Sequence, residues 1–147
     1  MIGVSVTNTH RREHCSPARV RHGVRLVLLG EGHRNGSISV VCISDGVSRR
    51  MNRTYLRHDY ATDVISFSLG EGDVVEGELY VNLDRARVQA RRYGVSPARE
   101  LMRLVIHGTL HLVGFDDGCE DERERMRMRE DKYLARLFRQ SARKGVL

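Results

Sequence analysis

The stretch DVISFSLGEGDVVEGELYVNL, residues 63–83, decides what kind of fold this chain can adopt. Its ends, DVISFSL (63–69) and GELYVNL (77–83), are short runs rich in β-branched and aromatic residues; the segment between them, GEGDVVE, is rich in glycine and acid. That composition predicts two strands joined by a loop. Upstream, SISVVCIS (37–44) reads as a strand by β-branched content, and IGVSVTN (2–8) alternates like a short one. Between these two strands, Ser16-Pro17 supplies an N-cap and first-turn pair for a helix with apolar positions at Val20, Val24, Leu26, Val27 and Leu28, ending near Gly30 or Gly32. Ser44 or Asp45 can cap a second helix running through Met51 and Tyr55. Downstream, residues 84–93 form a short helix stopped by Gly94, and Ser96-Pro97 opens another. The last helix runs from about Glu120 to Arg139, with Met126, Tyr133, Leu134, Leu137 and Phe138 as its apolar stripe. Acids at its start suit the positive end of the helix dipole. The order β-α-β-α-β-β-α-α-α predicts an α+β fold: a mixed, mainly four-stranded sheet packed against helices.

The bulk composition agrees with one domain over residues 1–147. The chain has 147 residues, 40% hydrophobic and 30% charged, enough for one ordinary core. Two prolines and no repeat leave no candidate linker. No apolar run approaches the ~18 residues of a membrane helix, and the opening MIGVSVTNTHRREHC has no apolar signal region. Three scattered cysteines (Cys15, Cys42, Cys119) fit a reducing cytoplasm better than a disulfide framework. The net charge is +6, and 23 of the 25 basic residues are arginine. Arginine's planar fork matches phosphate, so this surface is compatible with nucleic acid, although genome composition alone can favour arginine.

The chemistry concentrates in HGTLHLVGFDDG, residues 107–118. Histidines four residues apart lie on one helix face, a turn apart, so both rings can reach one metal ion. From Leu104 to Val113 this helix is apolar almost all round, which implies burial, and two adjacent neutral imidazoles are poor partners for each other. A bound cation resolves that conflict. Gly114 lets the chain turn, and Asp117 follows where the chain folds back beneath the helix. The pattern HxxxHxxGxxD has the ligand spacing of proteases that use a glycine turn, but the residue after the first histidine is Gly108 instead of their general-base Glu. Three N/O ligands and an open fourth position would still activate a water, so the motif argues for a hydrolytic metal site and against a standard protease. Asp116 and Cys119 are rival third ligands. Asp117 can alternatively cap the last helix, since D-x-x-E occurs at Asp117/Glu120 and again at Asp121/Glu124.

HGTLHLVGFDDG resembles the signature of the YbeY family of metal-dependent endoribonucleases, usually HGxLHLxGYDH. The resemblance extends to MNRTYLRHDYATDVISFS (51–68) and to GELY (77–80), and so covers about residues 38–138. It implies an α+β fold, one zinc per chain held by His107, His111 and Asp117, and cleavage of single-stranded RNA in ribosomal RNA maturation and ribosome quality control. The implied partners are ribosomal RNA and the small ribosomal subunit, with no membrane and no small-molecule cofactor. Two departures stand out. The family's third histidine aligns with Asp117, and a carboxylate is an acceptable zinc ligand. The family's cleft arginine, directly after the tyrosine, aligns with Leu56; Arg57 follows one residue later, a rotation of roughly 100° on a helix. Arg57 is accordingly the candidate catalytic residue, and Arg53 and Arg57 are the candidate substrate-binding pair. Against this stands a solvated helix face for both; His58 is also near. The rival functions are a metallohydrolase of another substrate class and a ribosome-associated RNA-binding module whose metal is structural. The latter would follow if Cys119 closed a four-ligand site.

Overall fold

The structure is a computed structural model that describes residues 1–70 and 72–146, without the side chains of 140–146. Its elements are β1 (Ile2–Asn8), α1 (Pro17–Gly30), β2 (Gly36–Ile43), α2 (Asp45–Met51), β3 (Val64–Ser68), β4 (Val75–Asn82), α3 (Leu83–Tyr93), α4 (Pro97–Leu112) and α5 (Glu120–Val146). The four strands form one sheet in the order β1-β2-β4-β3. β1, β2 and β4 run parallel, and β3 pairs antiparallel with β4. The predicted α+β fold with a mixed four-stranded sheet is the observed one.

One face of the sheet turns Ile38, Val40, Cys42, Leu79 and Val81 into the core, where they meet Val20, Val24, Val27 and Leu28 of α1 and the apolar side of α4. Each of the Val, Leu and Ile side chains among them contributes about 1.5–3 kcal/mol on burial. The alternate positions Ser37, Ser39, Glu76 and Glu78 stay exposed or half-buried, so the second face is largely polar. Helix α4 is the hub, touching α1, α3, α5, β3 and β4.

Boundaries shift where pairing and capping override composition. β4 begins at Val75, inside the expected loop, because Val75 pairs with Gly36. Leu83, expected as the end of that strand, opens α3 instead: the Asn82 side chain accepts the N–H groups of Asp84 and Arg85 at 3.0 and 3.2 Å and caps the helix. Of the loop 70–76, Glu71 lies outside the described residues. Ser44, not Asp45, caps α2, and α2 does not run uniformly to Tyr55. It widens at Asn52–Leu56 into a single π-helical turn that ends at Arg57, which is left-handed (φ 57°). The last helix continues past Arg139 to Val146. Cys15 and Cys42, distant in sequence, meet as free thiols with their sulfurs 3.6 Å apart. Among the described residues no helix is long and apolar enough to cross a membrane.

Candidate metal centre

Helix α4 starts where expected. Ser96 accepts the Arg99 N–H at 3.1 Å, and Pro97 occupies the first turn. Nine of its sixteen residues are buried, Gly108 among them. A Cβ at Gly108 would lie 2.9 Å from Leu79 Cδ2 and 3.2 Å from Ser66 Oγ. Glycine lets α4 press onto β3 and β4 here, and the general-base Glu of the proteases would have no room. The helix then stops at a glycine in a conformation that other residues avoid: Gly114 has φ 104°. Its N–H donates to His111 O at 3.1 Å, and the Phe115 N–H donates to Leu110 O at 3.0 Å. This turn brings Asp117 back alongside the helix.

Three side-chain atoms converge as a result. Nε2 of His107 and Nε2 of His111 are 3.1 Å apart. Oδ2 of Asp117 lies 3.4 Å from the first and 3.3 Å from the second. Four-coordinate zinc with bonds of ~2.0–2.2 Å places its ligands about 3.3–3.5 Å from one another. Both edges to Asp117 have the dimensions of one face of such a shell, and the His107–His111 edge is shorter by about 0.2 Å. Among the described residues, His107, His111 and Asp117 form the group able to hold a metal ion, and neither Asp116 nor Cys119 joins it. The Asp117 carboxylate faces the imidazoles rather than capping α5, which is preceded by Cys119, whose carbonyl accepts the Arg123 N–H at 3.0 Å.

The hydrogen bonds fix which nitrogens are available. Nδ1 of His111 is 2.9 Å from the Phe115 carbonyl, which can only accept, so Nδ1 carries the proton and Nε2 presents a lone pair. Nδ1 of His107 is likewise 2.8 Å from the Glu130 carboxylate. Two imidazole lone pairs and a carboxylate oxygen then face one another at contact distance, which is unfavourable unless a cation, or a proton, sits among them. The direction of the His107 pKa reflects this. Burial opposes the charged ring, but the Glu130 hydrogen bond and charge, with Asp117 and Asp63 adding to them, outweigh it and raise the pKa. The rings are not sealed in, contrary to the burial that the apolar sequence around them implies. Their side chains keep 21% and 26% exposure, and Asp117 keeps 45%, which leaves one side of the triangle open. Two clefts meet there, of about 480 Å³ on the β3 side and about 610 Å³ between α4 and α5. His107 and Asp117 line both.

Behind the site lies a charged network that the sequence reading missed. Glu130, 5% exposed, and Glu100, 1% exposed, flank Arg103. Arg103 donates to both Glu100 oxygens (2.6 and 2.9 Å) and to Glu130 at 3.3 Å. The Glu100 hydrogen bond holds its charge firmly despite burial. A signal existed: Glu130 is four residues after Met126 and three before Tyr133, squarely on the apolar stripe of α5. A carboxylate there needs a buried partner.

The upstream arginines sit differently. Arg53 pairs with Asp59 at 2.7 Å, as does Arg49 at 3.0 Å, and their hydrogen bonds hold the Asp59 carboxyl at a pKa of about 2. Arg57 is exposed and makes no ion pair among the described residues. Leu56 and His58, on either side of Arg57, line the β3-side cleft; neither arginine does.

Fold and site together define a class: a small α+β domain with an open His-His-carboxylate donor set of the kind that metallohydrolases use. Residues 6–138 match the family model described as Endoribonuclease YbeY. Among similar proteins, Endoribonuclease YbeY of Chlorobium luteolum is 45% identical over 136 residues, covering 92% of this chain and 98% of that protein. The Endoribonuclease YbeY of Salinibacter ruber is 38% identical over 140 residues, covering 89% of each. The solution structure of a Thermotoga maritima protein matches with a TM-score of 0.67 at 23% identity, covering 96% of this chain and 93% of that one, a likeness of fold. The chain belongs to the YbeY endoribonuclease family.

Asp117 stands at the position where the site is most easily tested. Asp117→Ala is expected to lower zinc affinity, while Asp117→His, which restores a neutral donor, retains it. Asp116→Ala and Cys119→Ala should bind zinc as the parent does. Calorimetric titration of the four variants decides the matter. Release of metal by Cys119→Ala alone would give the third ligand to Cys119, and a stability loss of about 1 kcal/mol in Asp117→Ala with unchanged affinity would return Asp117 to a capping role.

Proposed function

We propose that this protein is a zinc-dependent endoribonuclease that cuts single-stranded RNA in the cytoplasm. We further propose that it acts in ribosomal RNA maturation and quality control and works on the small ribosomal subunit. The observation that carries this reading is the convergence of three lone-pair donors at an open cleft in a chain of this family. His107, His111 and Asp117 would hold the ion, and two imidazoles with one carboxylate suit zinc. Bound there, the metal would supply Lewis acidity to a phosphoryl oxygen and lower the pKa of a water. The chain's own residues do the rest. Glu130 and the Phe115 carbonyl keep both Nε2 lone pairs pointed inward. Gly108 lets α4 sit against the sheet, so that the open side of the triangle meets both clefts. Arg57, beside the β3-side cleft, is assigned to neutralise charge on the reacting phosphate; Arg53, tied to Asp59, is the weaker phosphate contact. An unpaired strand can bend its phosphate into such a cleft more readily than a stiff duplex. The open side of the donor set favours this reading over a structural metal in an RNA-binding module.

The test compares single-stranded RNA, its duplex and DNA of the same sequence, with and without zinc. Single-stranded RNA should be cut far faster, a chelator should abolish cleavage, and binding should weaken steeply with salt as phosphate contacts release counterions. Arg57→Ala should lower cleavage more than Arg139→Ala, whose position lies far along α5. Equal effects remove Arg57 from the site, and preferential cleavage of DNA or peptide overturns the substrate class.

A further inference from the structure

We propose that His58 and Tyr60 form a stacking platform for one unpaired base of the RNA, beside the phosphate that is cut. The inference deepens the endoribonuclease reading and rests on it. The two rings lie parallel within 10°, centroids 5.0 Å apart, with Tyr60 Oη 3.1 Å from His58 Nδ1. Both line the same cleft as His107, His111 and Asp117. Tyr60 is nevertheless 55% exposed, so the ring pair faces solvent at the mouth of a candidate active site.

The segment that bears them is fixed from beneath. Asn52, fully buried, donates from Nδ2 to the Tyr60 carbonyl at 2.8 Å and to Thr62 Oγ1 at 3.1 Å, and its backbone carbonyl accepts the His58 N–H at 3.0 Å. With their backbone held this way and the two rings tied to each other through Tyr60 Oη and His58 Nδ1, the pair loses little freedom when something stacks on it. Leu56, 43% exposed, adds an apolar wall to the same cleft. Apolar and aromatic surface at this point fits the face of a base better than a phosphate. A base presents a free face when it is unpaired and unstacked, so the platform selects single strands without reading sequence.

The chain contains no tryptophan, which makes Tyr60→Trp a single-site reporter. Its fluorescence in the full-length protein should be quenched by single-stranded RNA, with or without zinc, and left unchanged by the duplex of the same sequence and by inorganic phosphate. In the zinc-loaded enzyme, Tyr60→Ala should raise KM for single-stranded RNA about tenfold, as expected for one lost base–aromatic stack. Tyr60→Phe, which keeps the ring, should retain the parent KM. An RNA with an abasic nucleotide at the stacking position should bind the parent as weakly as intact RNA binds Tyr60→Ala, and the two losses should not add. If the parent cleaves RNA but Tyr60→Ala keeps its KM, or the tryptophan stays unquenched while labelled RNA binds, the platform is overturned and the endoribonuclease reading stands. A parent that neither binds nor cuts RNA overturns both.

Discussion

Replacing both His107 and His111 by alanine is expected to remove the metal and lower RNA cleavage by about 1,000-fold, the scale of losing a Lewis acid worth several kcal/mol. The parent should hold about one zinc per chain by elemental analysis, and the double variant none. The fold should survive, because the apolar side of α4 packs through Leu104, Val105, Ile106 and Leu110, all buried and none dependent on the rings. Circular dichroism on the same samples checks that point. Stoichiometric zinc in a folded double variant would refute the metal site, and undiminished cleavage by it would refute metal-dependent catalysis at this site.

The second large effect is expected at Glu130. Glu130→Ala takes the acceptor from His107 Nδ1 and one of two carboxylates from the half-buried Arg103. Breaking a buried charge network on one side costs about 3–5 kcal/mol, and loss of the partner that orients a metal-bound histidine costs about 10–100-fold in metal affinity. Denaturant unfolding without metal reads the first cost, and zinc titration reads the second. Glu130→Gln separates them: its amide oxygen can still accept the Nδ1 proton, so affinity should largely recover while the charge network stays weakened. If Glu130→Ala binds zinc as tightly as the parent, Glu130 does not orient His107 and its role is structural.

Legibility in the sequence followed the range of the physics involved. Helix starts at Ser16-Pro17 and Ser96-Pro97 were readable because capping is settled within three residues. The turn at Gly114 was readable because a left-handed φ there favours a residue without Cβ. The boundary of β4 was not, because Val75 becomes a strand residue through its pairing with Gly36, thirty-nine positions away. The π-helical turn after α2 escaped for a similar reason: Asn52 is held by Tyr60 and Thr62 across the segment that carries the platform.

The site divides in the same way. Sequence by itself determined that His107 and His111 share a helix face, that the chain turns after them, and that Asp117 returns within reach, since i, i+4 spacing and a glycine stop act locally. It favoured Asp117 by the glycine-turn spacing but left Asp116 and Cys119 as rivals, because a few residues of non-repetitive chain can point any of these side chains inward. Tertiary structure alone decided that Asp117 completes the triangle, and that Glu130, twenty-three residues on, faces His107 Nδ1. It decided the fate of the arginines too, giving Arg53 to Asp59 and seating Leu56 in the cleft. Those outcomes depend on how α4 and α5 pack and on where a π-helical turn points its side chains. Both are set by contacts between segments far apart in the chain, which no local pattern encodes.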